Sequence, residues 1–272
     1  MLMFPYIWLV LIMVDFTLLI AVIAENWEVI ALFFLVAILY SSVGFGGGSS
    51  YLAILTLTSL SYVQIRAIAL LCNIVVVSGG SYIFYRKGLF NWKKIFPLVA
   101  MSVPMAFLGG YLKISQTLFF ILLGFTLVVA ALLMWISKYI VEMPSRATRS
   151  TAVVDGLMGG ATGFLSGMVG IGGGIFLAPL LHLVKWDTPK HIAATASFFI
   201  LVNSIAGLAG QYQNPDFFFE PNIAFILMVT VFLGGQIGSR LSATKISPFV
   251  IKRMTALLIA FVGLRILWKH LF

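Results

Sequence analysis

Two glycine-rich segments hold the residues best suited to gripping a ligand. Gly44-Phe45-Gly46-Gly47-Gly48-Ser49-Ser50 and Gly170-Ile171-Gly172-Gly173-Gly174 each place three consecutive glycines inside an apolar stretch. Each glycine weakens a helix by about 1 kcal/mol relative to alanine, so a run of three is expected to break it. Within lipid, broken backbone is tolerated only where protein buries it or a wet cavity lines it. The half-helix that resumes after the break presents free N–H groups and the positive end of its dipole, which suits an anion. Glycine lets the ligand approach the backbone, and Ser49 and Ser50 add hydroxyl donors. The competing reading is close helix packing through small residues. Recurrence of the cluster favours the broken helix. A nucleotide loop fits poorly: the first segment lacks the sixth-position glycine, and neither is followed by Gly-Lys-Ser/Thr.

The elements around these segments belong to a membrane. The chain has 272 residues, 61% hydrophobic and 9% charged, against about 25% charged in a soluble domain. Apolar runs such as Tyr6–Ala24, Leu98–Leu112, Leu118–Ile136, Ile192–Gly210 and Ile223–Gly238 approach the length of a bilayer crossing. No basic stretch precedes Tyr6–Ala24, and Asp15 interrupts it, so it reads as a retained helix and not a signal peptide. The net charge of +9 comes from Lys and Arg in short connections between apolar runs, a pattern of membrane orientation and not of nucleic-acid binding. Cys72, the lone cysteine, allows no internal disulfide.

The glycine segments are one sign of an internal repeat. Gly44 and Gly170 are 126 apart, as are Ser78 and Ser204, and Phe107-Leu108-Gly109-Gly110 returns as Phe232-Leu233-Gly234-Gly235. The expected organisation is an N-terminal transmembrane helix (1–28), a first transport repeat (29–140), a cytoplasmic linker (141–150) and a second repeat (151–272). If every apolar run crossed, the 17 Lys and Arg residues would divide nine against eight between the two sides. If each glycine segment dips in and returns, only Arg66, Lys113, Arg265 and Lys269 lie outside, leaving thirteen of the 17 within. The second division follows the positive-inside rule. The fold class expected is all-α: a polytopic membrane protein of two inverted repeats, each a re-entrant hairpin plus three spanning helices.

At this point the sequence resembles the sulfite exporter TauE/SafE family. The resemblance covers residues 29–270 and is carried by Gly163-Phe164-Leu165-Ser166-Gly167-Met168-Val169-Gly170-Ile171-Gly172-Gly173-Gly174 with Pro179-Leu180. It continues in Ala193-Ala194-Thr195-Ala196-Ser197 and Leu233-Gly234-Gly235-Gln236-Ile237-Gly238-Ser239-Arg240-Leu241. It implies export of small sulfur-containing anions such as sulfite or organosulfonates. The first repeat departs from the pattern: Ala53 stands where the second has Pro179, and Ala67 to Leu71 offers no hydroxyl matching Thr195 and Ser197. The two half-sites are therefore expected to differ.

Candidate substrate-binding residues are Gly46, Gly47, Gly48, Ser49, Ser50, Asn73, Ser78, Gly172, Gly173, Gly174, Thr195, Ser197, Asn203 and Ser204. The pair Ser78/Ser204 leads because the repeat places both at equivalent depth. The alternative for any one of these polar side chains is a hydrogen bond between helices. Asp15 and Asp155 are proton-coupling candidates, since intramembrane acids are functional by default. Asp155 also suits the first turn of a helix, and Asp15 the face of a partner subunit in a homodimer. Gln211, Tyr212 and Gln213 read as an exit lining or an interfacial loop, and the six tryptophans as an aromatic belt.

No metal or cofactor is expected. His182, His191 and His270 form no His-Glu-x-x-His, Asp15 and Asp155 share no motif, and no Gly-x-Ser-x-Gly occurs. The expected partners are a small anionic substrate and the lipid bilayer, not nucleic acid. The expected function is an alternating-access exporter in the cell's inner membrane, or else an anion channel using the same hairpins as a filter.

Overall fold

Runs of apolar residues broken by Gly, Pro, Ser and Asn punctuation become helices in the computed structural model, which describes residues 19–42, 46–136, 151–241 and 248–271. In order they are α1 (Leu19–Glu25), α2 (Trp27–Ser42), α3 (Gly48–Leu55), α4 (Tyr62–Arg86), α5 (Trp92–Tyr111) and α6 (Gln116–Ile136), then α7 (Ala152–Val169), α8 (Gly174–Leu183), α9 (Pro189–Tyr212), α10 (Pro221–Leu241) and α11 (Pro248–Leu271). Among the described residues there is no strand. Asp15 and the 141–150 linker lie outside the described residues, as does most of the first expected helix. Its described end, α1, is bent by 81° from α2.

Caps fix several helix starts. Ser61 and Gln64 form a reciprocal capping box at α4. Thr151 accepts from Val154 N–H at α7, and Pro189 occupies the first turn of α9. Among the described residues six helices, α4, α5, α6, α7, α9 and α10, are long and apolar enough to cross a membrane.

The order long, short, long, long, long occurs twice, as α2–α6 and α7–α11. Packing exchanges partners between the halves. On α7, Gly159, Gly163 and Gly167 lie against the backbone of Leu98, Ser102 and Ala106 on α5. On α10, Gly234 and Gly238 lie against Phe34 and Ile38 of α2. Small residues at every fourth position let backbones touch where no side chain intervenes. Packing is therefore the role of Gly159, Gly163 and Gly167 on α7.

Direction follows from the same contacts. Leu98, Ser102 and Ala106 meet Gly159, Gly163 and Gly167 in ascending order, so α5 and α7 run the same way. In contrast, Phe120 near the start of α6 stacks on His270 near the end of α11, ring centroids 4.5 Å apart. Ser81 late in α4 meets Ser197 early in α9 at 3.0 Å, while Arg66 early in α4 shares a cleft with Gln211 late in α9. Each of these two pairs is antiparallel.

The second glycine segment is a hairpin. Trp186, just beyond α8, donates its indole N–H to Asp155 in the first turn of α7 at 3.0 Å. The chain thus returns to the end it entered by. The arms are unequal: the 18 residues of α7 span about 27 Å and the 10 of α8 about 15 Å at 1.5 Å per residue. The α7 arm alone is long enough to cross, and the break lies on the way back.

Candidate functional site

The two breaks meet between α4 and α9. Gly47, preceding α3, and Gly173, preceding α8, have φ of +85° and +79°, a left-handed conformation natural to glycine. Neither helix start has a side-chain cap. In α3, Ser50 and Tyr51 N–H bond to Gly47 O; in α8, Phe176 and Leu177 N–H bond to Gly173 O. The N–H groups ahead of them have no intrahelical acceptor by the geometry of a helix start.

Asn73, in the middle of α4, joins the breaks. Its Nδ2 donates to Ile171 O at 2.9 Å. A methyl group built on Gly48 would collide with Asn73 and with that same carbonyl. One built on Gly172 would lie 3.0 Å from Ser204 Oγ and 2.9 Å from Ile200 Cγ2, and one on Gly46 would meet Asn73 and Ile200 again. Gly46, Gly48, Ile171, Gly172, Asn73, Ile200 and Ser204 therefore form one constellation. Asn73 and Ser204 are wholly buried, and Asn73 Oδ1 and Ser204 Oγ have no hydrogen-bond partner. Unpaired buried polar atoms each cost about 1–3 kcal/mol, and these two lie at one spot.

Helical phase separates the remaining candidates. Ser197, Ile200 and Ser204 fall at i, i+3 and i+7 on one stripe of α9, facing α4. Ser197 belongs to that stripe, but its hydroxyl pairs with Ser81, well toward the end of α4. Asn203 points elsewhere and bonds Ser102 Oγ (3.0 Å) and Phe199 O (2.8 Å), tying α9 to α5. Thr195 lies on the opposite side of α9, buried, with Oγ1 unpartnered. Ser50 Oγ lies 2.7 Å from Tyr40 OH and joins the arms of the first hairpin. Ser49 is buried in the first turn of α3.

The equivalence of Ser78 and Ser204 does not extend to their surroundings. Ser78 Oγ bonds to Ile74 O of its own helix. Asn73, five residues earlier, takes the position opposite Ser204. Repeat spacing marks equivalent backbone positions, while a helical turn decides which side chain faces the centre.

Asp155 lies at one end of the molecule. It is buried in the first turn of α7 and holds Trp186, itself 1% exposed. Trp186 therefore departs from the belt expected of it, whereas Trp27, Trp92, Trp135 and Trp268 are exposed. Beside this contact Lys94 Nζ donates to Trp186 O (2.7 Å) and Asp187 Oδ2 (2.9 Å). Burial opposes ionisation of Asp187, but hydrogen bonds from Lys94 and Thr188 N–H, with the nearby Lys94 and His191, hold its pKa below the usual value. A depressed carboxylate pKa stabilises above the unfolded value and is lost as pH falls through the folded one, so this ion pair persists at neutral and mildly acidic pH. Sequence reading missed the latch, because neither Trp186 nor Asp187 belongs to a recognisable motif.

Comparisons with known proteins identify the family. The profile described as sulfite exporter TauE/SafE matches residues 29–266. A probable membrane transporter protein of Sinorhizobium fredii is 30% identical over 87% of this chain and 96% of its own length. Probable membrane transporter proteins of Methanocaldococcus jannaschii and Bacillus subtilis are 28% and 26% identical, over 85% and 88% of this chain and 91% and 99% of theirs. No solved structure matches. With its helices long enough for several crossings and its two glycine-broken segments inside the matched region, the chain is a multi-pass membrane transporter and belongs to the sulfite exporter TauE/SafE family.

Proposed function

We propose that the chain is a secondary transporter that exports small sulfur-containing anions, such as sulfite or organosulfonates, by alternating access. The observation that carries this reading is the meeting of two uncapped half-helix starts with the unpaired atoms of Asn73 and Ser204. Two positive dipole ends aimed at one buried place suit an anion and disfavour a cation. Crossed half-helices between repeats are the usual site of secondary transporters. Complete burial of Asn73 and Ser204 fits an occluded carrier better than an open filter.

The antiparallel pairs α4/α9 and α6/α11 support inverted repeats. So does the ion pair Lys94–Asp187, which puts Lys94 and the connection after α8 at one end of the molecule. That end also carries Arg86, Lys87, Lys93, Lys185 and Lys190 and is assigned to the cytoplasm. Asp155 is retained as the proton-coupling candidate. Asp155→Asn keeps an acceptor for Trp186, so the hairpin should fold. Transport by this variant is expected to lose its dependence on pH; the same dependence in both proteins would remove the role.

The substrate class is tested by thermal unfolding of purified protein with sulfite, sulfate, thiosulfate and organosulfonates. A ligand at one hundred times its Kd stabilises the folded state by about 2.7 kcal/mol, a readable rise in melting temperature. A rise with at least one sulfur oxoanion is expected, and no rise with any would contradict the proposed substrate.

A further inference from the structure

A second polar constellation lies at the opposite end from the Lys94–Asp187 latch. A cleft there is lined by Tyr62, Arg66, Gly110, Lys113, Gln211 and Asp216, among others. Arg66 and Gln211 are each 3% exposed. Arg66 Nη2 donates to Gly167 O at 3.1 Å, closing the last turn of α7, yet its Nε is buried and unpartnered. Both amide atoms of Gln211 are also buried and unpartnered. Lys113 pairs with Asp216 at 2.9 Å, which offsets the carboxylate and leaves Arg66 as the net positive charge of the cleft.

Helix capping accounts for one of the five N–H groups of Arg66 and for none of Gln211. At the repeat spacing of 126, the position matching Arg66 is Ile192 and the one matching Gln211 is Tyr85. The cleft is therefore built on one side only. It also lies near the centre: the Arg66 backbone packs beside Gly170, two residues before Gly172.

We infer that this cleft is a docking site for a small oxoanion, held by the Arg66 guanidinium and the Gln211 amide, on the path between the central site and the outer face. The site rests on the anion-transport reading for its place in the path, and its chemistry stands on Arg66 and Gln211. The enclosed space is about 10 Å³, room for one water, so an oxoanion enters as the exposed Lys113–Asp216 pair moves aside. A guanidinium and an amide then brought to one solute suit planar or tetrahedral oxygen acceptors, the geometry of sulfonate, sulfite or phosphate groups.

The test uses Asn214→Cys at the cleft. The one native cysteine, Cys72, is buried, so a membrane-impermeant cationic thiol reagent reads position 214. In phosphatidylcholine proteoliposomes, methanesulfonate should slow this reaction relative to gluconate at equal ionic strength. Adding Gln211→Leu or the same-shaped Gln211→Glu should weaken that protection about tenfold or more, the worth of one hydrogen bond to a charged group. Adding Asn73→Leu, which weakens the central site, should leave it intact. The inference is overturned if methanesulfonate gives no protection, if protection survives both Gln211 changes, or if Asn73→Leu abolishes it. Protection by added phosphatidylglycerol in place of methanesulfonate would assign the cleft to a lipid headgroup and also overturn it. Failure of the central-site reading is seen separately, as transport unaffected by Asn73→Leu.

Discussion

Gly48→Ala is expected to abolish transport while leaving the protein folded in the membrane. Gly48 lacks the positive φ of Gly47, so alanine brings no backbone penalty there. The whole effect is one methyl group directed at Asn73 and the Ile171 carbonyl. Overpacking of this kind costs about 1–3 kcal/mol, too little to unfold a chain whose other helices are untouched. The cost falls where both breaks meet, so the half-helix ends must separate or the space between them must fill. Gly88→Ala is the matched control. Gly88 has φ of +66° in an exposed turn, with nothing within 4 Å of an added methyl group. It carries backbone strain of about 1–2 kcal/mol and should transport at the parental rate. Initial rates of labelled sulfite or organosulfonate flux in proteoliposomes measure both. Parental flux in Gly48→Ala would mean that close approach of the breaks is irrelevant to transport.

Asn73→Asp is expected to be the most damaging change that keeps a side chain's shape. The amide donates to Ile171 O; an ionised carboxylate can only accept, and would repel both that carbonyl and any bound anion. Asn73→Leu removes the donor without adding charge, leaving a buried carbonyl unpaired at about 1–3 kcal/mol. The expected order is parent above Asn73→Leu above Asn73→Asp, with affinity reduced about tenfold or more at the first step. Titration of the purified variants with the anion that raises the parent's melting temperature reads that order. Ser204→Ala should weaken binding less, having lost one hydroxyl from the same place. Equal affinity in all four proteins would remove Asn73 and Ser204 from the site.

What was legible in the sequence was whatever leaves a chemical mark at a fixed spacing. Glycine triplets inside apolar runs mark breaks because each glycine weakens a helix and three in succession do not sustain one. Their recurrence, with Ser78 and Ser204, pointed to a chain built as two repeats. The all-helical membrane fold followed from the same apolar runs. Rotation about a helix axis was not legible. Asn73 and Ser78 are both polar residues within α4, but five positions turn the second away from α9, where it bonds its own helix. The unequal arms of the second hairpin were not legible either, because nothing in the run from Asp155 through the α7 glycines marks where a crossing helix ends. Arg66 looked like a loop charge at a boundary. Only the structure shows it four residues inside α4, against the tip of the other repeat.

The central claim is that a negatively charged solute sits where the starts of α3 and α8 face Asn73 and Ser204. Selenite has the shape and charge pattern of sulfite and scatters anomalously, so diffraction from crystals soaked in selenite locates it directly. The expected result is a selenium peak within hydrogen-bonding distance of Asn73 and Ser204, between the two glycine breaks. A peak confined to the Arg66–Gln211 cleft or to the protein surface, with the centre unoccupied, would contradict it.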